Sequence, residues 1–365
     1  MRALVIGGGI VGSAVAWRLA GAGVRVVLLE GGRPETATAA SGGMLGHRSE
    51  HTEASPAQRL GRESARLWDE WRPVLGGDAA LGWVDAGTVW LLPGAELPAF
   101  REARRWQEEA GLPAPRLLEP GALEGLPGLA PGLVALHLAD EAALHPPSAL
   151  AALQQAATRA GVVFQVGEAS SLLEGGGRCR GARLADGTLL EADAVVLAAG
   201  SWSVELLGPR RTLPVGAMRG QVAVFELACG PVLRTEAFYA VPRPGRELLV
   251  GATEEPVGLA SAGEPASLEV LRAVIEAARA ALPGLAGREP VGLHSGLRPW
   301  SADRQPLVGR APEAFGLEGL FLAAGHTRNG ILQAPLSAEL IRAAVLGEAP
   351  PPGLDLSPWS PERFG

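Results

Sequence analysis

Apolar positions follow two different periods along the chain, and the first thirty residues show both. Residues 3–6 form a short apolar run with β character. An Ala- and Leu-rich segment continues to about Ala20, and residues 24–29 form a second apolar run. Because the two runs have strand length and the segment between them has helix length, this pattern predicts a strand, a helix and a second strand.

The rest of the pattern predicts further helices and strands. Periodic segments predict helices over 53–75, 95–110, 146–161, 267–282 and 331–346, and apolar runs predict strands over 162–166, 193–200, 289–298 and 320–323. Residues 82–92 predict a hairpin, and residues 213–251 predict a series of alternating strands. The charged residues within 95–110 are interpreted as a solvated helix face.

These elements favour an α/β protein, α+β overall, with two domains. Segments of α/β type stand at the start, the middle and the end of the chain, and two β-rich segments interrupt them. A length of 365 residues allows two domains or one elaborated domain. We predict a Rossmann-like nucleotide-binding domain from residues 1–80, 141–210 and 298–365, and a β-rich second domain from residues 81–140 and 211–297.

Three of the four glycines between the first strand and the helix have the spacing G-x-G-x-x-G. Gly7 permits the tight turn, Gly9 lets the backbone approach a pyrophosphate, and Gly12 lets the helix pack on the strand. Glu30, at the end of the second strand, can accept hydrogen bonds from ribose hydroxyls. The unit predicts a dinucleotide site and does not separate FAD from NAD. Its candidate residues are Gly7, Gly9, Ile10, Val11, Gly12, Glu30 and Gly31.

The composition excludes several kinds of chemistry. The chain has no lysine, one asparagine (Asn329) and one tyrosine (Tyr239). Without lysine, no side chain can form a Schiff base with a carbonyl cofactor, and no phosphate loop of the GK[ST] type can exist. A net charge of −7 argues against nucleic acid as the main partner, since no broad basic face is available.

Cysteine and histidine spacing suggests neither disulfides nor a metal site. Cys179 and Cys229 lie 50 positions apart without a CxxC pattern, which fits a reducing, cytoplasmic location. His47 and His51 have i,i+4 spacing but lack the glutamate of HExxH, so we interpret them as solvated or capping. The N-terminal apolar run resembles a signal peptide only in part because glycines interrupt it, and no later run is long enough to span a membrane.

Four segments carry a more specific pattern. They are the N-terminal unit through Glu30; Ala40-Ser-Gly-Gly-Met-Leu-Gly46; Tyr239-Ala-Val-Pro-Arg243; and a C-terminal pair, Gly296-Leu-Arg-Pro…Asp303-x-x-Pro306-x-x-Gly309 with Ala324-Gly-His-Thr-Arg-Asn-Gly-Ile-Leu332. Together they resemble the FAD-dependent D-amino acid oxidase superfamily, and most closely the glycine oxidases of the thiamine pathway. The resemblance spans nearly the whole chain. It implies a Rossmann-like FAD-binding domain beside a substrate-binding domain. We expect FAD to be held without a covalent bond, because neither Cys179 nor Cys229 lies in a segment expected beside the flavin.

The resemblance also implies roles for individual residues. Arg298 matches the arginine that grips the substrate carboxylate, and Tyr239 matches the tyrosine that supports it. A guanidinium suits this role because it donates two parallel hydrogen bonds to a carboxylate. Arg328 matches a residue beside the substrate. The other residues implied at the cofactor are Ala37, Thr38, Gly42, Gly43, Met44, Ser170, His326, Thr327, Asn329, Gly330, Ile331 and Leu332.

Several of these residues have a purely structural alternative. Arg298 could bridge to Asp303, and Tyr239 could be an ordinary strand aromatic. Arg328 could bind the polar edge of the flavin or an interdomain carboxylate. For Asn329 the preferred role is to cap the helix that begins at Gly330. Trp300 could line the pocket or only pack.

Glu254 departs from the resemblance. It stands where glycine oxidases tend to carry an apolar methionine near the substrate. Its carboxylate could attract a substrate ammonium, or it could point to solvent from the end of a hairpin. This difference bears on the substrate preference more than on the chemistry.

The activity implied is oxidative deamination of a small amino acid. Glycine is the first candidate substrate, followed by sarcosine and small D-amino acids. Hydride transfer to flavin N5 would give an imine, O₂ would be reduced to H₂O₂, and the imine would supply the thiazole branch of thiamine biosynthesis. The alternatives are a D-amino acid dehydrogenase that passes electrons to a quinone, or a non-catalytic flavin-binding subunit. The nearest relatives suggest a homotetramer.

Overall fold

The computed structural model describes residues 1–33, 36–119 and 128–364. Its helices are α1 (Ile10–Gly21), α2 (Ala37–Ala40), α3 (Pro56–Val74), α4 (Gly77–Leu81), α5 (Leu97–Ala103), α6 (Trp106–Glu109), α7 (Pro146–Arg159), α8 (Leu268–Ala281) and α9 (Gly330–Leu346).

Strands make up most of the remaining regular structure. They are β1 (Arg2–Ile6), β2 (Arg25–Glu30), β3 (Thr88–Pro93), β4 (Arg116–Leu118), β5 (Leu133–Leu138), β6 (Val163–Val166), β7 (Ala169–Gly175), β8 (Arg178–Leu184), β9 (Leu189–Glu191), β10 (Ala194–Leu197), β11 (Val215–Glu226), β12 (Val232–Arg234), β13 (Tyr239–Arg243), β14 (Glu247–Gly251), β15 (Glu255–Val257), β16 (Gly292–Ser301), β17 (Leu307–Arg310) and β18 (Leu320–Ala324).

A largely parallel sheet organises one part of the molecule. Its strand order is β17-β18-β10-β1-β2-β6, and only β17 runs antiparallel to its neighbour. Helices α1, α3, α7 and α9 pack together with residues of this sheet in one apolar core, in which Trp68 and Trp359 are fully buried. A second core holds residues from the sheet together with the small sheet β7-β8-β9. Apolar layers around a parallel sheet are the arrangement that its continuous apolar strands require.

The second large sheet is mainly antiparallel. Among the described residues its strand order is β15-β11-β14-β13-β12-β3-β5-β4, and β16 also pairs with β11. The β12–β3 pair is parallel. Helix α8 covers one face of this sheet and buries Leu271, Ile275 and Ala278. The mixed α/β fold class predicted from the sequence is confirmed, whereas the predicted domain boundaries stay a prediction.

Two predicted elements are wrong. Residues 82–92 do not form a hairpin, because β3 finds its partners in β5 and β12, and Val84 pairs only with Ala143. The helix predicted over 95–110 breaks at Arg104 into α5 and α6. At this break the Arg104 guanidinium lies 3.7 Å from the centre of the Phe100 ring, and burial lowers the pKa of that guanidinium. Arg104 is therefore not part of a solvated face.

Candidate active site

A cavity of about 370 Å³ lies at the carboxyl ends of the parallel strands. Ile6, Leu29 and Ala323 reach it from β1, β2 and β18, and Tyr239 and Arg298 reach it from the second large sheet. Ligands of open α/β sheets bind outside the carboxyl ends of the strands, and this volume lies in the range of ligand sites. The cavity is thus bounded by both sheets.

One end of the cavity is built from the glycine-rich turn. Gly7 has a φ of +113°, and a Cβ there would overlap the carbonyl of Ala198. The first-turn N–H groups of α1 lack intrahelical acceptors, and the Ile10 N–H donates to Thr38 Oγ1 at 3.2 Å. Glu30 accepts from the N–H groups of Gly8 and Gly32 at 2.7 and 2.8 Å. Amide donors and a helix N-terminus suit a pyrophosphate, and a carboxylate acceptor suits the ribose hydroxyls, so this end has the groups that a dinucleotide requires.

The small-residue segment of residues 40–44 lines the cavity and reaches Tyr239. Gly42 lies against the Tyr239 ring, where a Cβ would come within 3.2 Å of the ring. Arg243, four residues after Tyr239, donates to the carbonyl of Ser41 at 2.6 Å. Burial lowers the pKa of Arg243 to about 10. The two motifs that include Gly42 and Tyr239 are therefore in direct contact.

The second end of the cavity carries Arg298 and Tyr239. Arg298 Nη1 donates to the carbonyl of Thr253 at 2.9 Å, and no described carboxylate lies within 4.0 Å of this guanidinium. Asp303 does not pair with Arg298, because Arg363 binds it at 2.7 Å. Tyr239 is 9% exposed, and its hydroxyl lies beside Gly251. Arg298 therefore keeps donors available for an anion in the cavity.

Arg328 lines the same cavity and lies between two carboxylates. Its Nη1 is 3.2 Å from Glu254 Oε1, and its Nη2 is 3.7 Å from Glu50 Oε2. Glu50 also binds Arg234, whose pKa is lowered to about 10 by burial and by the charge of Arg328. Arg328 therefore binds protein carboxylates, as the structural alternative for this residue predicted. Glu254 itself lies outside the cavity lining, with 32% of its side chain exposed.

The loop from His326 to Asn329 forms another wall of the cavity. The Thr327 N–H donates to the Pro299 carbonyl at 2.8 Å, which fixes this loop against β16. His326 is 4% exposed, its Nε2 is 2.9 Å from Ser337 Oγ, and burial lowers its pKa to about 3. Asn329 occupies the N-cap position of α9, but its side chain makes no capping hydrogen bond. The capping role preferred for Asn329 is therefore wrong.

The structure brings most of the predicted site residues together around this cavity. The predicted residues that line it are Gly7, Gly9, Ile10, Val11, Glu30, Gly31, Ala37, Thr38, Gly42, Gly43, Met44, Ser170, Tyr239, Arg298, His326, Thr327, Arg328, Asn329, Gly330 and Ile331. Gly12, Glu254 and Leu332 do not line it. Gly12 faces the carbonyl of Gly7, and Leu332 is buried in the core. Trp300 does not line it either, since its indole packs over Gly216.

Other lining residues were not predicted from the sequence. Pro299 and Gly296 flank Arg298 within its motif, and Gly200 follows a buried parallel strand, so these three had a local signal. Gly220 and Glu50 had none: Gly220 is one of many glycines in the chain, and Glu50 binds a residue 184 positions away. Gly220 reaches the site through the pairing of β11 with β16, and Glu50 is placed there by its contact with Arg234.

Of the two histidines predicted to be solvated or capping, His47 is buried and His51 is half-buried. His47 is 5% exposed and its Nε2 is 3.0 Å from the carbonyl of Asp140. Burial lowers the pKa of His51 to about 4. Within the described ranges, no cluster of three or more His, Cys, Asp and Glu side chains could hold a metal ion. In the same part of the chain, no helix combines the length and the apolar character needed to cross a membrane.

Comparisons with known proteins agree with this geometry. Residues 2–344 match the family model described as DAO, FAD dependent oxidoreductase. A glycine oxidase of Geobacillus kaustophilus (strain HTA426) is 33% identical over 98% of this chain and 96% of that protein. The crystal structure of glycine oxidase from Geobacillus kaustophilus superposes with a TM-score of 0.86, at 30% identity and 98% coverage of each chain.

Two further relatives extend the comparison. The crystal structure of iminodiacetate oxidase from Chelativorans sp. BNC1 superposes with a TM-score of 0.89, at 26% identity and 99% coverage of each chain. The bifunctional protein ThiO/ThiG of Trichormus variabilis is 32% identical over 96% of this chain, which spans 53% of that protein. The chain belongs to the DAO family of FAD-dependent oxidoreductases, and it is an FAD-dependent amine or amino-acid oxidase.

Proposed function

We propose that this enzyme oxidises glycine or another small amino acid to its imine. The supporting observation is the cavity itself, which has donors and an acceptor suited to a dinucleotide at one end and Arg298 with Tyr239 at the other. The similarity to glycine oxidases over nearly the whole chain supports the same substrate class. Similarity to ThiO/ThiG supports a role in thiamine biosynthesis. A cytoplasmic location and a homo-oligomeric state stay predictions.

In this proposal Arg298 and Tyr239 hold the substrate carboxylate. The guanidinium already donates to the Thr253 carbonyl, so its plane is fixed and its remaining N–H groups are available to a carboxylate. Such charge-assisted hydrogen bonds contribute about 1.5–3 kcal/mol each. Fixing the carboxylate restricts where the α-carbon can lie, and orientation of this kind supplies much of the catalysis in reactions that need no protein acid or base.

Gly7, Gly9 and Glu30 would hold FAD, whose flavin would supply an acceptor for the hydride of the substrate α-carbon, with O₂ as the final oxidant and H₂O₂ as its product. The protein residues bind and orient the substrate and exclude water. His326 is kept neutral near pH 7, since burial lowers its pKa to about 3. The wall it forms therefore adds no positive charge beside Arg298.

An aerobic peroxide assay over a panel of glycine, sarcosine, D-alanine and D-proline tests the proposal. For the Arg298→Ala variant, kcat/KM should fall at least about 100-fold, since it loses more than one charge-assisted bond. FAD content measured by absorbance is the control for folding. An unchanged kcat/KM in that variant would overturn the assignment of Arg298. Anaerobic bleaching without peroxide in air would favour a quinone-linked dehydrogenase, and no bleaching would favour a non-catalytic subunit.

A further inference from the structure

Two arginines and two glutamates form a connected network beside Tyr239 and Arg298. Arg234 binds Glu50, Glu50 lies 3.7 Å from Arg328, and Arg328 lies 3.2 Å from Glu254. Arg328 and Glu50 both line the cavity. The side chains of Arg234 and Glu50 are 12% and 9% exposed, so this part of the network is largely removed from solvent.

Backbone contacts place this network at the carboxylate-binding end of the cavity. Arg234 stands directly opposite Tyr239 in the β12–β13 ladder. The carbonyl of Thr253, immediately before Glu254, accepts the hydrogen bond from Arg298. Thr327, immediately before Arg328, is bonded to the residue that follows Arg298. Arg234, Glu254 and Arg328 are therefore each placed by a backbone contact near Tyr239 or Arg298. Glu50 is placed there by its ion pair with Arg234.

The arginines that line this end of the cavity leave one positive charge without a carboxylate partner. Counted over the described lining residues, Arg328 is paired with Glu254 and Glu50 with Arg234, whereas Arg298 remains. Arg243 also lacks a carboxylate partner, but it lies outside the lining and donates to the Ser41 carbonyl. Arg304 also approaches Glu254, at 3.9 Å, but it is 62% exposed and its charge is screened by solvent. A site with a single free cation stabilises one carboxylate, and a second buried carboxylate would lack a partner.

We propose that Glu254 is a specificity-determining residue that restricts this enzyme to amino acids with one carboxylate. It does so by neutralising Arg328, which would otherwise be a second carboxylate-binding cation in the cavity. The inference rests on the proposed function and specifies its substrate class. It also gives a physical reason for the acidic residue at a position where the resemblance predicts an apolar one.

Sarcosine and iminodiacetate form a matched substrate pair for the test. Iminodiacetate differs from sarcosine only by a carboxylate on the N-methyl carbon. Glu254→Gln keeps an oxygen that can accept from Arg328 and removes the charge. We expect the ratio of kcat/KM for iminodiacetate to that for sarcosine to rise at least tenfold in this variant. Adding Arg328→Gln to it should return the ratio toward the parent value.

Glu318→Gln is the charge-matched control. Glu318 also pairs with an arginine, Arg178 at 2.7 Å, but it does not line the cavity. Removing its charge should leave the ratio within twofold of the parent value. A similar rise in Glu318→Gln and Glu254→Gln would overturn the proposal, because the effect would then come from net charge and not from Arg328.

A binding experiment separates failure of this inference from failure of the proposed function. Methoxyacetate and diglycolate are the ether analogues of sarcosine and iminodiacetate, and they lack the amine that is oxidised. Titration calorimetry on the FAD-loaded protein should show diglycolate binding at least tenfold more tightly to Glu254→Gln than to the parent, with methoxyacetate changed less than threefold. Equal changes for both ligands, or parent protein that already binds diglycolate as tightly as methoxyacetate, would overturn the inference. Absence of amine oxidation would overturn the proposed function alone.

Discussion

Two glycines of β11, Gly216 and Gly220, each lie beneath a long side chain of β16. A Cβ at Gly216 would overlap the Trp300 indole, and one at Gly220 would overlap the Arg298 guanidinium. The β11–β16 register places Trp300 opposite Gly216 and Arg298 two residues along the ladder from Gly220. The absence of a side chain at Gly220 is therefore part of what positions Arg298.

Gly220→Ala should weaken binding of the substrate carboxylate. The added methyl group displaces the Arg298 guanidinium, so we expect KM for glycine to rise about tenfold, roughly the effect of one weakened hydrogen bond to a charged group. The change in kcat should be smaller. Steady-state kinetics at matched FAD content measure both.

Gly216→Ala is the control for this prediction. It adds the same methyl group to the same strand but displaces Trp300, which does not line the cavity. Its KM should remain near the parent value even where its stability falls. If both variants raised KM equally, a general disturbance of β11 would explain the effect better than the position of Arg298.

At the scale of elements, the contact between β1 and α1 decides how close the helix N-terminus comes to the cavity. Gly12 does not line the cavity, yet a Cβ there would overlap the carbonyl of Gly7. The helix could relieve that overlap only by moving away from the strand. Because the first-turn N–H groups would move with it, Gly12 acts on the cofactor through the position of α1.

Gly12→Ala should therefore weaken FAD binding without touching the cavity. We expect the Kd of FAD, measured by equilibrium dialysis against apoprotein, to rise at least about tenfold as the helix N-terminus withdraws. Gly21→Ala is the matched control on the same helix. A Cβ at Gly21 meets nothing within 4 Å, so FAD affinity should not change. Equal loss of affinity in both variants would contradict this role for Gly12.

The elements that the sequence predicted well are those whose signal is local. The turn from β1 into α1 depends on glycines a few residues apart, and its form follows from that spacing alone. Strand β3 was misassigned because its partners β5 and β12 lie far away in the chain. The break at Arg104 was missed for a similar reason, since Trp90, from a different element, stacks on its guanidinium as well.

For the whole molecule, sequence motifs predicted most of the residues that line the cavity. They did not predict the ion pairs beside Arg298 and Tyr239. Arg298 and Tyr239 stand within recognisable motifs, so their meeting in one cavity was expected. Glu50 lies in the turn before α3 and Arg234 on β12, 184 positions away, and neither residue has a neighbouring signal in the chain. The sequence therefore predicted the residues at the cofactor end more completely than the charged residues at the substrate end.

Stability of the whole molecule should fall in mild acid because buried histidines must be neutral in the folded state. The pKa of His326 is lowered to about 3, and those of His51 and His145 to about 4, with burial as the largest cause in each. Their unfolded-state pKa is near 6.5, so the unfolded state binds more protons below that pH and the stabilisation is lost as pH falls from 6.5 toward 4.

His326→Gln isolates one of these contributions. Glutamine is neutral at every pH and has an amide that can bond to Ser337, the partner of His326. Lowering the pH from 7 to 5 should reduce the free energy of unfolding by about 2 kcal/mol more in the parent than in the variant. Only in the parent does the unfolded state bind a proton at residue 326 that the folded state does not bind. Urea unfolding at fixed excess FAD measures the two curves. Parallel curves would show that His326 takes up its proton without unfolding, and the enclosed wall of the cavity would then tolerate a positive charge beside Arg298.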